Sequence, residues 1–170
     1  LCATSGQEQV VYLSMGFGNP YDDPWSPGVL GEFTQRLDAL GVRHVALSDT
    51  IGASTPATIG PPFRELTAAF PHIHFGAHLH TTPTTWREKV QAAYSAGCRR
   101  FDGALGGYGG CPMAADQLTG NMATERLLEF AREVGEEPTL LTEALGEALE
   151  WNQRIFAPHP LAPSPKERGN

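Results

Sequence analysis

The sequence predicts a parallel α/β protein. It is either a small open sheet covered by helices or one half of an eight-fold (β/α) barrel. Three observations carry this. Apolar runs alternate with stretches of helical periodicity. The alternation recurs at about 30 residues, the length of a strand-crossover-strand unit. Polar residues gather where each apolar run ends, which is where such folds place their sites.

Each element follows in order. "VVYLSMGFG" (10–18) reads as a buried strand and a glycine turn. "SPGVLGEFTQRLDALG" (26–41) reads as a helix, with Ser26 as N-cap, Pro27 in the first turn and Gly41 beyond the end. Val29, Leu30, Phe33, Leu37 and Leu40 give it an apolar stripe. "HVALSDTIG" (44–52) is the second strand and its loop. "TPATIGPPFRELTAAF" (55–70) opens as a capped helix, in which Pro61 and Pro62 are expected to impose a kink or a late start. "HIHFGAHLH" (72–80) is the third strand and "TPTTWREKVQAAYSAG" (82–97) the third helix. "CRRFDGALGGYGGCP" (98–112) is a fourth strand entering a glycine-dense loop. Helices are expected over 121–135 and 139–156. A full barrel takes about 250 residues, so four such units make half of one. Residues 1–157 form that domain, and the Pro-rich 158–170 is expected to be a disordered tail.

Composition excludes several classes. Hydrophobic residues make up 41% and charged residues 18% of the 170, as in an ordinary globular protein. A net charge of −7 argues against a nucleic-acid partner. No apolar run reaches the roughly 18 residues of a membrane span. The first residues lack the basic start and cleavage site of a signal peptide. Three widely spaced cysteines, Cys2, Cys98 and Cys111, form no disulfide framework, so a reducing cytoplasm is expected.

The strand ends hold the candidates. His78 and His80 stand two apart and so share one face of a strand. They are either metal ligands or a hydrogen-bonded structural pair, and their place at a strand end favours the metal. Asp49, at the second strand end, could ligate a cation, accept a proton or cap the next turn; Thr50 beside it is expected to support the site. Cys111 closes a run with glycines at 106, 107, 109 and 110, where an exposed thiol suits proton transfer or nucleophilic attack. Asn121 either caps the fourth helix or offers its amide oxygen to a hard cation. Glu125, one turn on, is expected on the same helix face, supporting the site or solvated.

Together "SDTIG", "HLH" and "GALGGYGGCPMAADQLTGNMATE" resemble the C-terminal half of the 3-hydroxy-3-methylglutaryl-CoA lyases, metal-dependent barrel enzymes. The resemblance covers roughly residues 10–156 and settles on the half-barrel. It implies a retro-Claisen cleavage to acetyl-CoA and acetoacetate with Mg2+ or Mn2+. By motif, His78, His80 and Asn121 would be metal ligands, Cys111 an acid/base, Asp49 a catalytic aspartate and Glu125 a supporting residue. An acyl-CoA would be the substrate.

Two features depart from the family. Thr81, Thr82 and Pro83 replace an acidic residue and a Tyr-Gly pair after the histidines, altering the mouth of the site. The family's DRE signature, with a ligand aspartate and a catalytic arginine, has no match. The chain reads as beginning near the fifth barrel strand, so it is expected to be inactive alone. Its partner would be the missing half-barrel or a second copy. Condensing relatives of the isopropylmalate and homocitrate synthase type share the histidine pair but not "GGCP". A non-catalytic fragment of a disrupted gene is the third reading, suggested by Leu1 and the Pro-rich end.

Overall fold

A computed structural model describes residues 2–110 and 119–156. Cys111 and the 158–170 tail lie outside the described residues. The chain divides into two units, Leu1–Pro138 and Thr139–Asn170.

The first unit is built on a four-stranded parallel sheet. It contains α1 (Cys2–Ser5), β1 (Val10–Leu13), α2 (Pro27–Ala39), β2 (His44–Ser48), α3 (Pro56–Ala69), β3 (His74–His78), β4 (His80–Thr81), α4 (Trp86–Ser95), β5 (Arg100–Asp102), β6 (Gly120–Asn121) and α5 (Thr124–Glu133). The main sheet runs β1-β2-β3-β5, every pair parallel. The order never reverses. A doubly wound open sheet has a switch point where it does, so the order supports the barrel segment. In keeping with one-handed crossovers, α2 packs on α3, α3 on α4 and α4 on α5.

Register divides the sheet into two faces. Val11, Val45 and Phe75 form one cross-strand row, and Leu13, Leu47, Ala77 and Phe101 the next. These apolar rows pack with Ile59, Phe63 and Leu66 of α3 and Val90 and Ala93 of α4. The opposite face carries Tyr12, Ala46, Gly76 and Arg100 in one row and Ser48, His78 and Asp102 in the next. At its N-terminal end His44 and His74 stack with centroids 5.0 Å apart.

The helices start where local chemistry dictates. Ser26 Oγ accepts from Val29 N at 3.3 Å, and Pro27 opens α2. Thr55 and Thr58 form a reciprocal cap before Pro56, so α3 begins without delay and continues through Pro61 and Pro62. Those prolines withhold two backbone donors. Burial of Ile59, Pro62, Phe63 and Leu66 outweighs that loss, as tertiary packing overrides propensity.

Three boundaries differ from expectation. The third strand divides at Leu79: β3 stays in the main sheet, while β4 pairs antiparallel with β6. α4 starts at Trp86, because Thr82–Thr85 form a hydrogen-bonded turn in which Thr85 Oγ1 accepts from Thr82 N at 3.0 Å. α5 starts at Thr124 with Ala123 as N-cap, so Asn121 neither caps it nor shares its face with Glu125.

The second unit contributes α6 (Thr142–Phe156). Trp151, Ile155 and Phe156 are exposed on it. Among the described residues no helix is long and apolar enough to cross a membrane.

Candidate functional site

The C-terminal ends of β2, β3 and β5 bring Ser48, His78 and Asp102 side by side on one face. One residue on from β3, Leu79 turns into the core and His80 returns to the polar side, 7% exposed. The two imidazoles lie 5.3 Å apart between centroids, nearly perpendicular at 83°. Directly across the β4–β6 pair from His80 stands Asn121. Opposed residues of a ladder share a face, so the three sequence-predicted ligands are neighbours.

One ring nitrogen of His80 is hydrogen-bonded, and one of His78 faces a carboxylate. His80 Nδ1 lies 2.7 Å from the Asp49 carbonyl oxygen. A carbonyl only accepts, so Nδ1 carries the proton and Nε2 keeps its lone pair. His78 Nδ1 lies 3.6 Å from Asp102 Oδ2. The Asn121 amide nitrogen donates to Tyr108 O at 2.9 Å, which leaves the amide oxygen as its ligating atom. Two imidazoles and an amide oxygen suit a divalent metal of the Mg2+/Mn2+ type only with further oxygen donors. Among the described residues no three His, Cys, Asp or Glu side chains form a ready-made cluster.

Asp49 is fully engaged. It is 2% exposed. Its Oδ1 accepts from Ser54 N at 3.0 Å, and its Oδ2 from Ser54 Oγ at 2.5 Å and Lys89 Nζ at 2.9 Å. Lys89, 4% exposed, also donates to His80 O at 2.9 Å and Gly52 O at 3.1 Å. All three ammonium protons are thereby matched. This buried pair staples the strand-end loop to the backbone of His80. Sequence reasoning missed Lys89; the signal was a lysine beside Trp86, Val90 and Ala93 on the apolar stripe of a helix.

The supporting residues act on backbone. Thr50 Oγ1 accepts from Met15 N at 2.8 Å, tying the β2 loop to the turn after β1. Both Glu125 oxygens accept from Gly106 N, at 2.9 and 3.1 Å, anchoring the glycine-rich loop. Two of its glycines permit close approach to Asn121. Gly109 has φ +87°, and a Cβ there would stand 2.8 Å from Asn121 Nδ2; Gly107 has φ +67°, and a Cβ there would stand 2.9 Å from Asn121 O. Cys111 follows this loop and lies outside the described residues.

Asp102 was also missed, although it ends the fourth strand. Its Oδ2 accepts from Tyr12 Oη at 2.8 Å. Arg100 Nη1 lies 3.7 Å from Oδ1. Burial pushes the Asp102 carboxyl up, but its contacts with His78, Tyr12 and Arg100 outweigh that and hold it below the usual range. The same hydrogen bond, with burial, raises the Tyr12 hydroxyl. Cys98, 1% exposed, has its thiol pushed up to about 12 by burial, so it is an inert core residue.

A cleft of about 220 Å³ opens beside Asn121, lined by Thr81, Thr82, Pro83, Trp86, Gly107 and Arg126 among others. Thr81, Thr82 and Pro83, which follow the histidine pair, therefore form its wall.

The sequence and the fold match proteins of known activity. The HMGL-like family model matches residues 5–150. The hydroxymethylglutaryl-CoA lyase of Bacillus subtilis is 33% identical over 140 residues, covering 82% of this chain and 46% of that protein. The (R)-citramalyl-CoA lyase of Chloroflexus aurantiacus is 32% identical over 141 residues, covering 83% and 44%. The crystal structure of the HMG-CoA lyase from Brucella melitensis superposes with a TM-score of 0.81 at 31% identity, over 91% of this chain and 54% of that one. The chain thus spans about half the length of the relatives it matches.

Proposed function

The chain belongs to the HMGL-like family, and from that premise we propose that it is the metal-binding half of a carbon–carbon lyase acting on a 3-hydroxyacyl-CoA. The observation that carries the reading is the convergence of His78, His80 and Asn121 at the strand ends, with the His80 Nδ1 already engaged.

The favoured substrate is 3-hydroxy-3-methylglutaryl-CoA, cleaved to acetyl-CoA and acetoacetate. His78, His80 and Asn121 would hold Mg2+ or Mn2+. When bound, that ion supplies charge that polarises the substrate's hydroxyl and carboxylate oxygens. The other residues of this half position the site. The Lys89–Asp49 pair keeps the His80 backbone in place, so Asp49 acts by positioning. Glu125 holds the loop that leads to Cys111. The Cys111 thiol exchanges a proton with the fragment that becomes acetyl-CoA. Citramalyl-CoA is the second substrate reading, favoured by the near-equal identity of the two relatives and by the altered Thr81–Pro83 wall.

The active protein needs a second half-barrel. Among the described residues β1 and β5 are open edges. On the polar face Arg100 Nε and Nη2 are buried without a partner among the described residues. A complementary half bearing an inward carboxylate meets that need. A second copy would instead bring another Arg100 into the same layer.

The test is an assay of the chain joined to a complementary half. Mg2+-dependent acetoacetate release from 3-hydroxy-3-methylglutaryl-CoA is expected, with citramalyl-CoA as the competing substrate. Full activity in Cys111→Ala would refute the acid/base role.

A further inference from the structure

We propose that Asp102 is the positioning residue of His78, and that Tyr12 holds Asp102 in that role. The purpose of the arrangement rests on the proposed metal site; its geometry does not.

Asp102 is the register partner of His78 on the adjacent strand, so the two side chains rise together from one face. His78 turns its Nδ1 toward Asp102 Oδ2 at 3.6 Å. That is too long for a hydrogen bond but close enough for the carboxylate's charge to choose the tautomer. A ring with its proton on Nδ1 presents N–H to the carboxylate. The other tautomer would aim a lone pair at a negative oxygen. The Nδ1–H form leaves the Nε2 lone pair available, and a carboxylate behind it makes that nitrogen a better metal ligand.

The carboxylate is itself fixed. Tyr12 Oη donates to the same Oδ2 at 2.8 Å, and Arg100 Nη1 approaches Oδ1 at 3.7 Å. The Tyr12 ring also meets the His78 ring edge-on, with centroids 5.8 Å apart. One residue from the first strand therefore limits both the carboxylate and the ring. The two histidines have different holders. A backbone carbonyl serves His80, and a side-chain carboxylate serves His78. Only His78 can therefore be released by a side-chain change at its holder.

The test uses the full chain labelled with 15N-histidine at pH 8, where free imidazoles are neutral. Long-range 1H–15N spectra read each tautomer directly. Both His78 and His80 are expected as Nδ1–H forms. In Asp102→Ala the His78 Nδ1–H population should fall while His80 stays unchanged. Asp102→Glu should restore His78, and Tyr12→Phe should shift it part of the way. Zn2+, used as a diamagnetic probe, should move the Nε2 signals of both rings, with affinity reduced roughly 10- to 100-fold in Asp102→Ala. An unchanged His78 tautomer in Asp102→Ala overturns the proposal. If the tautomer responds as expected but Zn2+ moves neither Nε2 signal in the wild type, the metal reading fails and the positioning role stands. Should Asp102→Ala lose spectral dispersion, Tyr12→Phe decides: an unmoved His78 in that variant overturns the proposal.

Discussion

Tyr12 on β1 donates a 2.8 Å hydrogen bond to Asp102 on β5, although β2 and β3 lie between them. In a flat sheet three strand spacings would separate these strands by roughly 14 Å, too far for two side chains that rise from the sheet to meet. The sheet is therefore curled, with the polar face concave and the helices on the convex side. That curvature is the barrel's, and Tyr12 and Asp102 fasten it from edge to edge.

The fastening is expected to show in acid. The Asp102 carboxyl is held below its ordinary range in the fold. Its contribution to stability is therefore present above the unfolded-state value near 4 and is lost as pH falls through the lower folded value. Urea unfolding between pH 7 and pH 3 should show a smaller acid loss in Asp102→Asn than in the wild type. Equal losses would contradict the assignment.

Lys89 and Asp49 form the buried pair under the site. Lys89→Met leaves a buried carboxylate without its cation and should destabilise by about 3–5 kcal/mol. The Lys89→Met, Asp49→Asn double variant should lose less than the sum of the single losses. Additive losses in denaturant titrations would mean that the two residues do not act as a pair.

Gly76 makes room for Arg100. A Cβ at position 76 would stand 2.4 Å from both Nε and Nη2 of that guanidinium. Gly76→Ala should therefore displace the guanidinium and destabilise by about 1 kcal/mol, the low end of overpacking. Arg100→Leu in the isolated chain removes two buried nitrogens without partners among the described residues but also the long Nη1–Asp102 contact, and should be close to neutral. Thermal melts of the single and double variants check both expectations.

Cys98 is expected to be silent to thiol reagents. Its thiol is buried and raised to about 12. Native labelling at pH 8, followed by peptide mapping, should leave it unmodified until denaturant is added. Rapid native modification of Cys98 would contradict the packing of that core.

Much of this was legible from local pattern. The apolar runs at 10–13, 44–48 and 74–78 are strands, and the Ser26–Pro27 and Thr55–Pro56 starts are caps. His78 and His80 lie where strand ends collect chemistry. The illegible part consists of distant pairings. Lys89 meets Asp49 across 40 positions and Tyr12 meets Asp102 across 90, and no periodicity reports such contacts. The fourth helix starts later than its pattern suggests for a related reason. The Asn121 segment is held by cross-strand pairing to His80, a partner that helix-start rules do not consider.

In the complete protein His78 and His80 are expected to bind a divalent metal. Calorimetric titration with Mn2+ tests it most directly, comparing the wild type with the His78→Ala, His80→Ala double variant. One site is expected in the wild type and its loss in the variant. Undiminished affinity in the double variant would contradict it.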